Sequence, residues 1–171
     1  RLVGSEMCIR DRLNAAKPGP EDSVMIVGLG GVGMAALIVA LAQDVKEVIA
    51  VDALEEKLER AKELGADRVF PPQEVAEQGI TADRVIEAAG NAKAFETAYN
   101  AIGFGGSMVT VGLPNPAATS TIAPLALTAG AREVKGSYLG SAVPARDIPT
   151  YAKLYLEGKL PVDELISSRI R

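Results

Sequence analysis

The sequence predicts an α/β fold, a doubly wound parallel sheet of about six strands with helices on both faces. Three observations predict it. Short, continuously apolar runs alternate with longer amphipathic stretches, the pattern of strands buried on both faces and joined by crossover helices. A glycine cluster, GLGGVG, joins the first apolar run to the first helical stretch. The 171 residues fit one domain. A core of that size buries about 70% of the unfolded chain's surface.

The elements follow in order. Residues 23–28 (SVMIVG) are β-branched at three positions and read as a buried strand. Residues 32–42 form an unbroken apolar helix pattern, too short to span a membrane. Residues 47–51 (EVIAV) are a second buried strand, closed by Asp52. Residues 54–64 are amphipathic, with Leu54, Leu58, Ala61 and Leu64 on one stripe. Glu56 and Arg60 are spaced as an i,i+4 pair, and Gly65 sits where a helix C′ glycine belongs. Residues 68–70 make a short strand stopped by Pro71-Pro72, and 83–87 another strand. A helix over 92–102 precedes Gly103, Gly105 and Gly106. Residues 107–111 are a strand, 124–130 a short helix and 133–139 a last strand. Ile148, Tyr151, Ala152, Tyr155 and Leu156 mark a final helix that Gly158 stops.

Composition removes several function classes. With no histidine there is no Ser-His-Asp triad, no Cys-His pair and no imidazole base. The single cysteine, Cys8, excludes an intrachain disulfide and a cluster of His and Cys zinc ligands. A net charge of −4 argues against nucleic acid, and Arg132, Lys135 and Arg146 are scattered without interleaved aromatics. No apolar run reaches membrane-spanning length. Residues 1–12 (RLVGSEMCIRDR) lack periodicity and a signal-peptide core. They read as a non-native or disordered segment, leaving 13–171 as one domain expected to be cut at both ends. With no secretory signal, the expected location is cytoplasmic.

Gly28, Gly30 and Gly33 stand as G-x-G-x-x-G, with Gly31 and Val32 between them. That spacing is weak alone, but here it follows a strand and opens a helix, as a dinucleotide site requires. Gly28 allows a tight turn, Gly30 lets backbone approach a pyrophosphate, and Gly33 lets helix and strand pack closely. The helix N-terminus turns free N–H groups toward phosphate. Asp52 ends the second strand nineteen residues after Gly33. A carboxylate there accepts hydrogen bonds from both adenosine ribose hydroxyls and repels a 2′-phosphate, so the pocket favours NAD over NADP. Ala53 follows, not an arginine that would neutralise such a phosphate. Capping of the helix after it is a second role open to Asp52. These features predict a Rossmann fold. A methyltransferase for S-adenosylmethionine shares the first turn and the acidic strand end. A P-loop is excluded, since G-x-x-x-x-G-K-[ST] does not occur.

From about Leu13 the chain resembles the zinc-type medium-chain alcohol dehydrogenases. The resemblance is carried by VMIVGLGGVGMAAL (24–37), EVIAVDALEEKLERAKELGAD (47–67), RVIEAAGNAKAFETA (84–98), GGSMVTVGLP (105–114) and VKGSYLGSAVPARDIP (134–149). It implies that Lys57 approaches the adenosine ribose and that Ala88 and Ala89 line the riboses. It implies that Val111, Gly112 and Leu113 lie beside the nicotinamide, and that backbone groups of Ser137 and Leu139 hold its carboxamide. Without the resemblance, Lys57 is a solvated lysine and the apolar positions are core.

The same resemblance implies a two-domain parent whose GroES-like domain supplies Cys, His and Cys ligands to a catalytic zinc. None of those ligands can be placed here, so no catalytic or metal residue is assigned in this chain. The implied function is cofactor binding for an enzyme that moves hydride between an alcohol or aldehyde and NAD. The chain by itself is expected to bind NAD(H) without turnover. Alternatives are a stand-alone nucleotide-binding or sensing module and a zinc-free reductase of the same superfamily. The resemblance also implies a homodimer or homotetramer through the sheet edge near 121–138. Tyr151 and Lys153 do not have the Tyr-x-x-x-Lys spacing of short-chain dehydrogenases. Asp83 and Glu87 alternate along one strand. They could be paired acids, but capping or solvated strand-end carboxylates are the commoner case.

Overall fold

A computed structural model describes residues 16–137, 149 and 152–158. The elements are β1 (Ser23–Val27), α1 (Gly31–Leu41), β2 (Glu47–Val51), α2 (Glu55–Glu63), β3 (Arg68–Phe70), α3 (Pro72–Glu77), β4 (Ala82–Glu87), α4 (Ala92–Asn100), β5 (Ile102–Thr110), α5 (Pro124–Ala129) and β6 (Glu133–Gly136). The strands form one six-stranded sheet in the order β3-β2-β1-β4-β5-β6. Every pairing is parallel. This is the doubly wound Rossmann arrangement. The chain runs outward from β1 to β3, then returns to β4 beside β1, which opens a crevice at the carboxyl ends of the strands.

Alternation along the strands feeds two cores. Val24 and Ile26 of β1, with Val48 and Ala50 of β2, pack under α1. Met25, Val27, Ile49 and Val51 face the other way, onto a layer that includes Val75, Ala98 and Tyr99. A strand buried on both faces has no polar side to show, which is why these runs are apolar at every position. α1 is sandwiched in the same way, with every residue from Gly33 to Ala40 buried. α2 buries only Leu58 and Ala61. Its expected stripe is therefore shorter than the sequence implies, because Leu54 precedes the helix and is exposed. Gly65 takes φ +110, the left-handed conformation of a C′ residue. Arg60 pairs with Glu63 at 2.9 Å.

Five local expectations change. Pro71-Pro72 does not merely stop β3. Pro72 opens α3 at a first-turn position, where its missing N–H costs nothing. The helix expected to reach residue 102 ends at Asn100, and Ile102 already pairs with Ala82. Gly103, Gly105 and Gly106 lie inside β5, in an irregularity after which pairing resumes at Arg84 and Ser107. Gly106 is needed there because a Cβ would come within 2.8 Å of the Asp83 carbonyl. The last expected strand is short, and Ser137 lies just past β6. In the expected final helix, 152–156 is helical, but Leu154 packs on the core while Tyr155 and Leu156 are exposed. Ile148, Tyr151, Leu139 and the expected non-native segment 1–12 lie outside the described residues.

The amino ends of the central strands are tied by polar groups. Asp83 Oδ2 accepts from the Ser23 N–H at 2.8 Å and the Ser23 hydroxyl at 2.7 Å. Arg84 Nε reaches Asp22 Oδ2 at 3.1 Å. These groups sit at the opposite end of the sheet from the crevice, so the acid Asp83 joins β1 to β4 and does not pair with Glu87. No helix among the described residues is long and apolar enough to cross a membrane.

Candidate functional site

The crevice is built first from the glycine turn. Gly28 leaves β1 at φ +93, and its N–H donates to the Val51 carbonyl at 2.8 Å. A Cβ on Gly28 would come within 2.6 Å of Ala89. A Cβ on Gly33 would run into the Gly28 carbonyl, so the first turn of α1 rests directly on the strand end. The positions with these constraints are those the motif assigns to turning and packing. Gly30 and Gly31 differ, having open space where a Cβ would stand.

That open space faces unpaired donors. Gly30 caps α1 without a side-chain acceptor, and the first helical bond runs from Met34 N–H to the Gly30 carbonyl at 2.8 Å. The amides of Gly31, Val32 and Gly33 therefore have no intrahelical partner. Gly30, Gly31 and Val32 are exposed. Free N–H groups, the positive end of the helix dipole and backbone that a ligand can approach closely together fit a pyrophosphate.

Asp52 connects the two halves of the motif. Its Oδ2 accepts from the Leu29 N–H inside the glycine turn at 2.6 Å, and its Oδ1 accepts from the Leu54 N–H at 2.9 Å. The capping alternative is thus half right. Asp52 closes a turn before α2, but Leu54 is the N-cap residue. The carboxylate also holds the loop that presents the phosphate donors. Each oxygen keeps a second lone pair for an incoming hydroxyl.

On the other side of β1 stands Glu87, only 2% exposed. Its Oε1 accepts from the Ala89 and Gly90 N–H groups at 2.9 and 2.8 Å, and its Oε2 accepts from the Thr110 hydroxyl at 2.7 Å. The Glu87 carbonyl also accepts from the Val111 and Gly112 N–H groups. Three hydrogen bonds to one carboxyl offset the cost of burying it. The loops after β4 and β5 then touch backbone to backbone. A Cβ on Gly112 would collide with Gly90 and approach Glu87 Oε1 to 2.9 Å.

A cavity of about 790 Å³ opens from the crevice. Gly28, Asp52 and Ala53 lie at its upper end, with Pro72 and Gln73 from α3 and Asn91 and Lys93 from α4 along its walls. Asn91 is fixed as the N-cap of α4, its Oδ1 accepting from the Ala94 N–H at 2.9 Å. The mixture of apolar walls and amide side chains suits a planar heterocycle with polar edges.

The structure thus brings Gly28, Gly30, Gly31, Val32, Gly33, Asp52, Ala88 and Ala89 to one crevice. Val111 and Gly112 join them through Glu87, although the Val111 side chain faces the core. Leu113 is 70% exposed, open to a ligand or a partner surface. Lys57 is half-buried in the first turn of α2 and makes no ion pair among the described residues. Ser137 has committed its N–H to the Thr110 carbonyl at 2.9 Å, which leaves its carbonyl and hydroxyl for other partners. Leu139 lies outside the described residues. Sequence reasoning missed Gln73 and Asn91, and left Glu87 as an ordinary strand-end acid. The visible signals were a charge closing an apolar strand before Ala-Ala-Gly, and an Asn directly before a helix. Among the described residues, no group of three or more His, Cys, Asp or Glu could hold a metal ion.

Known proteins share this architecture. Residues 31–157 match the family described as zinc-binding dehydrogenase. Alcohol dehydrogenase 1 of Pisum sativum is 31% identical over 170 residues, covering 92% of this chain and 44% of that protein. An NDMA-dependent alcohol dehydrogenase of Amycolatopsis methanolica is 35% identical over 158 residues, covering 86% and 43%. The benzyl alcohol dehydrogenase structure from Acinetobacter calcoaceticus superposes with a TM-score of 0.86 at 28% identity, covering 94% of this chain and 47% of that one. The chain spans less than half the length of these curated relatives. The match of residues 31–157 to that family, with relatives and solved structures that agree in sequence and fold, shows that this chain belongs to the zinc-binding dehydrogenase family.

Proposed function

We propose that this chain is the cofactor-binding module of an NAD-dependent, zinc-dependent alcohol dehydrogenase. Bound nicotinamide supplies a hydride acceptor or donor for the interconversion of an alcohol and an aldehyde. The residues described here bind and orient it. The free amides of Gly31, Val32 and Gly33 receive the pyrophosphate. Asp52 receives the adenosine ribose, and the cavity walls from Ala53, Gln73 and Asn91 flank the adenine. Zinc has no ligand set among the described residues, so no step is assigned to it. On its own the chain is expected to bind the cofactor without turnover.

The observation that carries this reading is the Asp52 carboxylate bonded into the glycine turn. It stands beside the phosphate donors, where it accepts from ribose hydroxyls and repels a 2′-phosphate. Calorimetric titration of NADH and NADPH tests it. NADH should bind more tightly, and tighter NADPH would sink the assignment. Replacing Asp52 by Ala should weaken NADH by about 1–3 kcal/mol, as the ribose hydroxyls lose a charged acceptor. Unchanged affinity in that variant would leave Asp52 only its part in the turn before α2.

A second copy of the chain is the expected partner. Among the described residues β6 is an edge strand, and Ile122 and Leu125, before and in α5, are exposed. Sedimentation velocity should show a dimer or tetramer, and a monomer at micromolar concentration would count against this part.

A further inference from the structure

We infer that Glu87 is a positioning residue for the nicotinamide half of the cofactor, through the two loops it locks together. This rests on the cofactor reading above. With the adenosine ribose at Asp52 and the pyrophosphate at α1, the remaining half must extend over the ends of β4, β5 and β6, because the sheet order continues that way. The surface it meets there is the loop after β4 and the loop after β5. Both are organised by one residue: the Glu87 carboxyl holds the β4 loop and Thr110 at the end of β5, and its main-chain carbonyl holds Val111 and Gly112.

The geometry is specific to a long carboxyl. One oxygen collects the Ala89 and Gly90 amides, and the other takes the Thr110 hydroxyl. Gly90 holds φ +69, a conformation that two accepted bonds stabilise from below. Gly90 in turn packs on Gly112, while Ala89 packs on Gly28. The glycine turn, the β4 loop and the β5 loop therefore meet backbone to backbone, and Glu87, through its carboxyl, ties the β4 loop to Thr110, the last residue of β5. Removing its carboxyl orphans two amides and a hydroxyl beneath the platform. The Asp52 side is held independently, by its own bonds to Leu29 and Leu54.

The test compares NADH with ADP, which carries only the adenosine and the pyrophosphate. The chain contains no tryptophan, so reduced nicotinamide fluorescence reports NADH binding without indole emission. Glu87→Ala should weaken NADH about tenfold or more while ADP stays within about twofold. Glu87→Gln should restore NADH binding, since its amide oxygen still accepts from Ala89 and Gly90 and the Thr110 hydroxyl can turn to accept. Glu87→Asp, one methylene short of both loops, should show the same split as Ala and serves if the Ala variant does not fold. Equal loss of NADH and ADP would show general collapse and overturn the proposal, as would wild-type NADH affinity in the Ala or Asp variant. A wild-type chain that binds neither ligand overturns the cofactor reading and this proposal with it. Binding of both with no split overturns the proposal alone.

Discussion

Single residues in this sheet divide by which end they serve. At the amino end, Asp83 is held below the ordinary carboxylate pKa, first by the Ser23 hydroxyl and then by the Ser23 N–H. A carboxyl depressed in the folded state stabilises the fold above the unfolded pKa. That contribution is lost as pH falls from near 3.8 through the lower folded value. Asp83→Asn should therefore flatten the acid limb of a plot of Tm against pH, while wild type and variant run parallel above pH of about 5. At the carboxyl end, glycines that look alike have different tasks. Gly33→Ala drives a methyl into the Gly28 carbonyl and should cost about 1–3 kcal/mol in a urea melt. Gly31→Ala meets open space and should leave stability within about 0.5 kcal/mol.

Elements place these residues through short local devices. Asn91 starts α4 and so orients one wall of the cavity beside Asp52. Asn91→Ala should lower stability by about 1 kcal/mol in denaturant titration. α4 also anchors the edge of the sheet. The Tyr99 hydroxyl donates to the Ala123 carbonyl at 3.2 Å, and Arg132 Nη1 donates to the Tyr99 carbonyl at 3.2 Å. Most elements were legible because their apolar period matched their environment. α3 was not, because six residues opening on Pro-Pro carry too little periodicity to outweigh the reading of proline as a stop. β5 was misjudged at its start for a similar reason. Glycines usually mark a turn, but here close approach to Asp83 and Ile102 selects Gly106, and φ +69 selects Gly105, inside an irregular strand.

For the whole molecule, binding and folding are linked. A ligand that occupies only the folded crevice stabilises it by about 2.7 kcal/mol at one hundred times its Kd. For a chain of this size that corresponds to a rise in Tm of about 5–10 °C. A thermal melt should show that rise with NADH, and no rise at saturating NADH would contradict the site. The linkage arises because three loops on separate strands must be in place together, which only the assembled sheet provides.

The sequence by itself determined the doubly wound class, the strand that precedes the glycine turn, and the pairing of that turn with Asp52. These are local properties, set by apolar period, glycine sterics and a spacing of nineteen residues. Tertiary structure alone decided what Asp52 and Glu87 touch. Leu29 lies twenty-three positions from Asp52, and Thr110 twenty-three from Glu87. Hydrogen-bond partners that far apart in the chain are chosen by strand order and register. No local pattern reveals that one carboxylate braces the glycine turn while another, buried across β1, ties the loop after β4 to the end of β5.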